Sequence, residues 1–221
     1  MIQTSKTDTQ IQHDVLAELA WEPSVGASSI GVEVKDGVVT LAGHVGSFHE
    51  KWEAEHAAQR VSGVKALAVE IDVKLPGGSE RTDADIARSA QNVIEWMTYL
   101  PKNAVTVVVD HGWITLTGQV DWSFQKEGAQ SSVRALKGVT GVSDQIVLKA
   151  QVATRTVKAD IEEAFQRRAR ADAGVISVAI DGAEVTLAGA VHSWSERSLA
   201  RRTAWATPGV HRVIDHMTVV E

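Results

Sequence analysis

Residues 40–48 read TLAGHVGSF, residues 115–123 read TLTGQVDWS, and residues 186–194 read TLAGAVHSW. Superposing Gly43, Gly118 and Gly189 aligns Thr40-Leu41, Thr115-Leu116 and Thr186-Leu187, with Val45, Val120 and Val191 just beyond each glycine. Further along, Gly63-Val64, Gly138-Val139 and Gly209-Val210 also fall into line without a gap. Agreement at so many fixed offsets makes the 221-residue chain three copies of one unit rather than one or two larger domains.

Upstream of each glycine the apolar residues alternate: Ile30, Val32, Val34, then Val105, Val107, Val109, then Ile176, Val178, Ile180. Period two marks a half-buried strand. Asp36-Gly37, His111-Gly112 and Asp181-Gly182 supply residues tolerant of positive φ and lead into Val39-x-Leu41, Ile114-x-Leu116 and Val185-x-Leu187, so each copy contains a β-hairpin. In the third copy the turn glycine sits one place earlier, which predicts a different turn. Further upstream, Ile11, Val15, Leu19 correspond to Ile86, Ala90, Ile94 and to Val157, Ile161, Phe165, the spacing of one helical face. Thr7 with Gln10 and Thr82 with Asp85 read as caps of the first two of these helices.

Downstream, Ser47 with Glu50 and Ser193 with Glu196 open a second helix as capping boxes, and Asp121 or Ser123 takes that role in the middle copy. Its buried face carries Ala54, Ala58 and Val61, or Ala129, Val133 and Leu136, or Ala200, Ala204 and Thr207, and Gly63, Gly138 or Gly209 stops it. A last strand holds Leu67, Val69, Ile71 and Val73, with counterparts through Val142, Ile146, Leu148 and through Val213, Met217, Val219. The unit is therefore αββαβ. An α+β fold follows, three tandem modules each with a small three-stranded sheet and two helices on one face, at residues 1–75, 80–149 and 152–221. The Pro-Gly-Gly linker at residues 75–79 reads as more flexible than residues 150–153, so modules two and three are expected to sit more rigidly together than one and two.

Net charge is −6, and residues 1–75 carry 6 Lys and Arg against 11 Asp and Glu. That balance argues against nucleic acid as a partner and against lipid capture by bulk charge. No cysteine is present, which excludes disulfides, thiolate metal sites and cysteine nucleophiles. The segment MIQTSKTDTQIQHD carries no basic stretch followed by an apolar run, so the expectation is a cytoplasmic protein, peripheral at a membrane if it meets one.

The element order, the Thr-Leu-x-Gly-x-Val signature and the later Gly-Val before the last strand resemble the BON domain (bacterial OsmY and nodulation), in three consecutive copies covering nearly the whole chain. The resemblance implies a non-enzymatic protein associated with osmotic stress or transport. It implies binding of phospholipid headgroups or another small ligand, or, as in one cytoplasmic branch, of potassium. Periplasmic members carry a signal peptide and often two copies, a pattern from which this sequence departs.

Of the recurring residues, Gly43, Gly118 and Gly189 are read as a backbone requirement where the chain passes close to a helix. A cation recurs in the first turn of the second helix as Lys51, Lys126 and Arg197. There it opposes the helix dipole by about 0.3 to 1 kcal/mol, so its recurrence calls for a bound anion or for a carboxylate across a module interface. Beside it stand Phe48, Trp122 and Trp194, which with the three cations form the candidate ligand site. Trp96, Trp113 and Trp205 are expected to be partly exposed, suiting an interface between proteins before a lipid surface. Self-assembly into a homo-oligomer through such aromatics and the sheet edges is the remaining expectation. His49, Glu53 and His56 share a stretch of the first module's second helix but do not recur, and read as solvated polar residues rather than a metal site. Arg167, Arg168 and Arg170 complement a helix C-terminus. No catalytic motif and no cofactor is expected.

Overall fold

The computed structural model describes residues 6–78, 81–149, 176–181, 184–207, 210 and 212–220. The first module runs α1 (Asp8–Trp21), β1 (Ile30–Lys35), β2 (Val38–Val45), α2 (Phe48–Arg60) and β3 (Ala66–Val73). The second repeats it as α3 (Asp83–Glu95), β4 (Val105–Asp110), β5 (Trp113–Val120), α4 (Ser123–Arg134) and β6 (Gly141–Leu148). In the third, β7 (Ile176–Asp181), β8 (Glu184–Val191), α5 (Trp194–Trp205) and β9 (Arg212–Val219) are described. Its expected first helix, with Val157, Ile161, Phe165 and the arginine run, lies outside the described residues, as do Gly182 and Gly209.

All three sheets share one topology. The hairpin strands pair antiparallel and the last strand joins parallel to the second, giving the orders β1-β2-β3, β4-β5-β6 and β7-β8-β9. The register repeats too: Gly43 faces Ile30 and Ile71, Gly118 faces Val105 and Ile146, and Gly189 faces Ile176 and Met217. The first two sheets each bury one face under two helices, α5 packs on the third, and Leu41, Leu116 and Leu187 are fully enclosed at equivalent places.

The glycine is fixed by the chain beside it. At Gly43 (φ 140°) and Gly118 (φ 140°) a Cβ would lie 2.1 Å from the Ser29 carbonyl oxygen and 2.0 Å from that of Ala104. The close neighbour is thus the backbone leading into the first strand, and not a helix as the sequence suggested. No side chain fits between a strand and its partner's preceding carbonyl, so the position admits only glycine.

The caps carry the fold's local logic. Thr7 and Gln10 form a reciprocal capping box at α1, and the Thr82 hydroxyl accepts from Asp85 N at α3. The next residue reaches further: the Asp8 carboxylate accepts from both Asp36 N and Gly37 N at 2.8 and 2.9 Å, and Asp83 accepts from His111 N and Gly112 N at 2.9 and 2.8 Å. These turns have positive φ at both central residues, and the first helix thereby holds the hairpin. At α4 the N-cap is Trp122, and neither Asp121 nor Ser123 caps the helix. Gln125 Oε1 there accepts from Asp121 N and Trp122 N, the service Glu50 Oε2 performs for Gly46 N.

Candidate functional site

Lys51, Lys126 and Arg197 turn inward across their own sheets. Lys51 Nζ donates to the Ile71 carbonyl at 2.8 Å and Lys126 Nζ to the Ile146 carbonyl at 2.6 Å. Arg197 Nε donates to Asp215 Oδ2 at 2.8 Å, and Lys126 has Asp144 at 3.5 Å. Asp144 and Asp215 occupy one repeat position, filled by Val69 in the first module, and each belongs to the same module as its cation. The recurrence is therefore accounted for by a strap from the second helix to the last strand, which offsets the unfavourable dipole with a charge-assisted hydrogen bond.

Two of the aromatics beside these cations, Phe48 and Trp194, serve contacts between modules. Phe48 packs against the core of the second module, and Trp194 against the core of the first. Trp194 Nε1 donates to the Val64 carbonyl at 3.0 Å, and the Arg197 guanidinium lies 5.1 Å over its ring. Phe48 and Trp194 share one repeat position, so modules one and three use the same side chain on different neighbours. Trp122 and Phe124 are exposed, and Tyr99 lies 5.5 Å from Phe124, centroid to centroid. Among the described residues these aromatic contacts join module one to each of the other two modules.

Two tryptophans stand out by exposure. Trp21 ends α1 at 84% exposed, and Trp96 caps α3 at 86%. They occupy the same repeat position, where the third module has Arg167. Trp113 is half exposed, its Nε1 donating to Ser143 Oγ at 2.9 Å, whereas Trp205 packs against the third core. The repeat places Trp21 and Trp96 at one position, but helical periodicity says which face is buried and not which exposed ring protrudes.

A third aromatic group joins α2 to its neighbours. His56 stacks on Trp52 at 3.5 Å, and the Arg134 guanidinium from α4 lies 3.6 Å over the same indole. Burial holds the His56 imidazole below its ordinary pKa, with the charges of Arg134 and Arg202 adding to the effect, against the Trp52 carbonyl and Glu53. Burial likewise pulls Arg134 down and pushes Glu55 up. Among the described residues no group of acidic residues and histidines has the geometry to hold a metal ion, and no helix is long and apolar enough to cross a membrane.

A family model for the BON domain matches residues 7–74, 82–150 and 153–221. Osmotically-inducible protein Y of Escherichia coli (strain K12) is 27% identical over 146 residues, covering 64% of this chain and 73% of that protein. Among solved structures, CdsD, a structural protein of the Type III secretion system of Chlamydia trachomatis, is similar over 94% of this chain and 91% of that one, at 12% identity and a TM-score of 0.26. The PrgH periplasmic domain is similar over 93% and 100%, at 13% identity and a TM-score of 0.23. TM-scores that low carry no argument about this chain.

Proposed function

The chain belongs to the BON domain family in all three modules, and on that premise we propose that it is a non-catalytic protein that engages the headgroup region of phospholipid membranes through Trp21 and Trp96. One observation carries the reading: two indoles at the same repeat position, each more than four-fifths exposed, at the ends of helices. An indole is suited to a membrane interface because its body is apolar and its N–H is wet. Burying about 150 Å² of ring at about 25 cal/mol per Å² gives about 4 kcal/mol gross for each, enough for two together to hold a protein reversibly at a surface. An acidic chain gains little from bulk attraction to anionic lipid, so ring insertion rather than charge supplies the affinity. The similarity to an osmotically inducible protein supports a role in the response to osmotic stress.

Co-sedimentation with vesicles of phosphatidylethanolamine and phosphatidylglycerol tests this. The native chain is expected to bind at both 50 mM and 500 mM salt, Trp21→Ser and Trp96→Ser each to weaken binding at least tenfold and up to several hundredfold at the full gross value, and the double variant to lose it. Binding that survives the double substitution removes the reading.

A further inference from the structure

Each sheet ends on one side at its first hairpin strand, β1, β4 or β7, whose outer edge has no partner strand among the described residues. An edge of unpaired N–H and C=O groups is a template for another strand, and folded proteins guard it with charge or cover. The copies guard theirs unequally. On β1 the solvent-facing side chains include Glu33 and Lys35, and Gln12 of α1 reaches the edge itself, its Nε2 donating to the Val32 carbonyl at 2.7 Å. On β4 most of this is gone. Val108, 56% exposed, stands in place of Glu33, Thr106 in place of Gly31, and Ala87 of α3 in place of Gln12. Asp110, in place of Lys35, leaves charge only at the strand's end. Among the described residues no side chain reaches the Val107 carbonyl, the counterpart of Val32.

The hairpin fixes which groups of β4 are free. Asp110 pairs with Trp113 across the His111-Gly112 turn, so Thr106, Val108 and Asp110 bond to β5. Ala104 follows the same parity, its carbonyl accepting from Gln119 N at 3.1 Å. The N–H and C=O groups of Val105, Val107 and Val109 therefore point away from the sheet. Residues 105–109 read VTVVV, a run that meets a reversed copy of itself in register. We infer that β4 is the pairing surface for a second copy of this chain, β4 lying antiparallel to β4 about a two-fold axis at Val107 and joining two three-stranded sheets into one.

The geometry selects that register. Val105 lies opposite Val109 of the second copy and Val107 opposite its own counterpart, so all the free backbone groups exchange hydrogen bonds. A slip by one residue would set core-facing valines against solvent-facing side chains. Thr106 falls opposite Val108 of the second copy at the closer spacing of about 4.5 Å between Cα atoms, where β-branched side chains pack well. No charge stands on residues 105–109, so chains of net charge −6 meet here without like charges opposed. So short a strand falls far below the about 20 to 30 residues a side of a stable interface, which makes the dimer weak and reversible. The pairing does not involve Trp21 or Trp96 and stands apart from the membrane reading.

Sedimentation equilibrium of the full chain between about 10 and 500 µM tests the pairing. The average mass is expected to rise with concentration from one chain toward two. Thr106→Lys/Val108→Lys sets lysine opposite lysine and keeps the chain monomeric throughout. Thr106→Lys/Val108→Glu sets lysine opposite glutamate and restores the dimer, more strongly at low salt. Both positions are exposed, and unchanged thermal unfolding of the dilute variants shows that the fold is intact. The chain has no cysteine, so introduced thiols read the register. Under mild oxidation a mixture of Thr106→Cys and Val108→Cys chains forms a disulfide-linked pair, and each variant alone forms far less. A monomer at every concentration, a dimer that survives Thr106→Lys/Val108→Lys, or cross-linking as strong within one cysteine variant as in the mixture overturns the inference.

Discussion

His56 shows how much one residue's chemistry depends on groups from other modules. In isolation it is a polar residue on a helix, and its sequence neighbours suggest a solvated face. In the structure it is half-buried, stacked on Trp52, and held below its ordinary pKa first by burial and then by the charge of Arg134. The unfolded chain therefore binds a proton at His56 more readily than the folded one. Stability due to this residue is complete above the unfolded value of about 6.5 and is lost as pH falls toward the lower folded value. Glu55 works oppositely in the carboxylate range, since burial raises it and the folded protein keeps its proton longer as pH rises. Chemical denaturation between pH 5 and 8 in chloride buffer is expected to show unfolding free energy rising with pH. In His56→Gln that slope flattens, and an unchanged slope assigns the dependence elsewhere. None of this was legible in the sequence, because Arg134 and Arg202 lie far along the chain and no period within a module points at them.

At the scale of elements the sequence was far more informative. Alternation and the fourfold spacing of apolar residues located the strands and helices, and the gapless repeat let each copy check the other two. What escaped was any bond to backbone distant in the chain, beyond the local helix caps. The straps from Lys51 and Lys126 end on the Ile71 and Ile146 carbonyls, which every residue possesses, so no sequence signal marks them. The helix-to-hairpin bond escaped for the same reason. Asp83 accepts from two turn N–H groups while also facing the positive end of α3. Replacing it with alanine is expected to cost about 1 to 2 kcal/mol in denaturant titration, and Asp83→Asn, which keeps one acceptor oxygen, about half of that. Equal losses for the two variants would show that charge at the helix terminus, rather than the turn, dominates.

For the whole molecule the question is what makes three small modules one body, since units of about 70 residues bury too little surface to be robust alone. The aromatic at the start of the second helix answers it: Phe48 lies against the second core, and Trp194 against the first. Trp194 is the sharper case. Its ring covers apolar residues of module one, and its N–H satisfies the carbonyl of Val64, a residue with no solvent exposure. Truncation to alanine uncovers that surface and leaves the carbonyl to water. A half-buried Trp then costs about 2 to 3 kcal/mol, less than the about 3 to 5 kcal/mol of a fully buried aromatic. The cost falls on coupling rather than on either core, so Trp194→Ala is expected to split one thermal transition into two and to raise the radius of gyration in small-angle scattering. Trp194→Phe retains the ring and forfeits only the hydrogen bond, costing about 1 kcal/mol with a single transition. A single transition and unchanged radius for Trp194→Ala would mean that the modules are joined by some other contact, and the packing of α2 on α5 and of Arg134 over Trp52 would then be the first places to look.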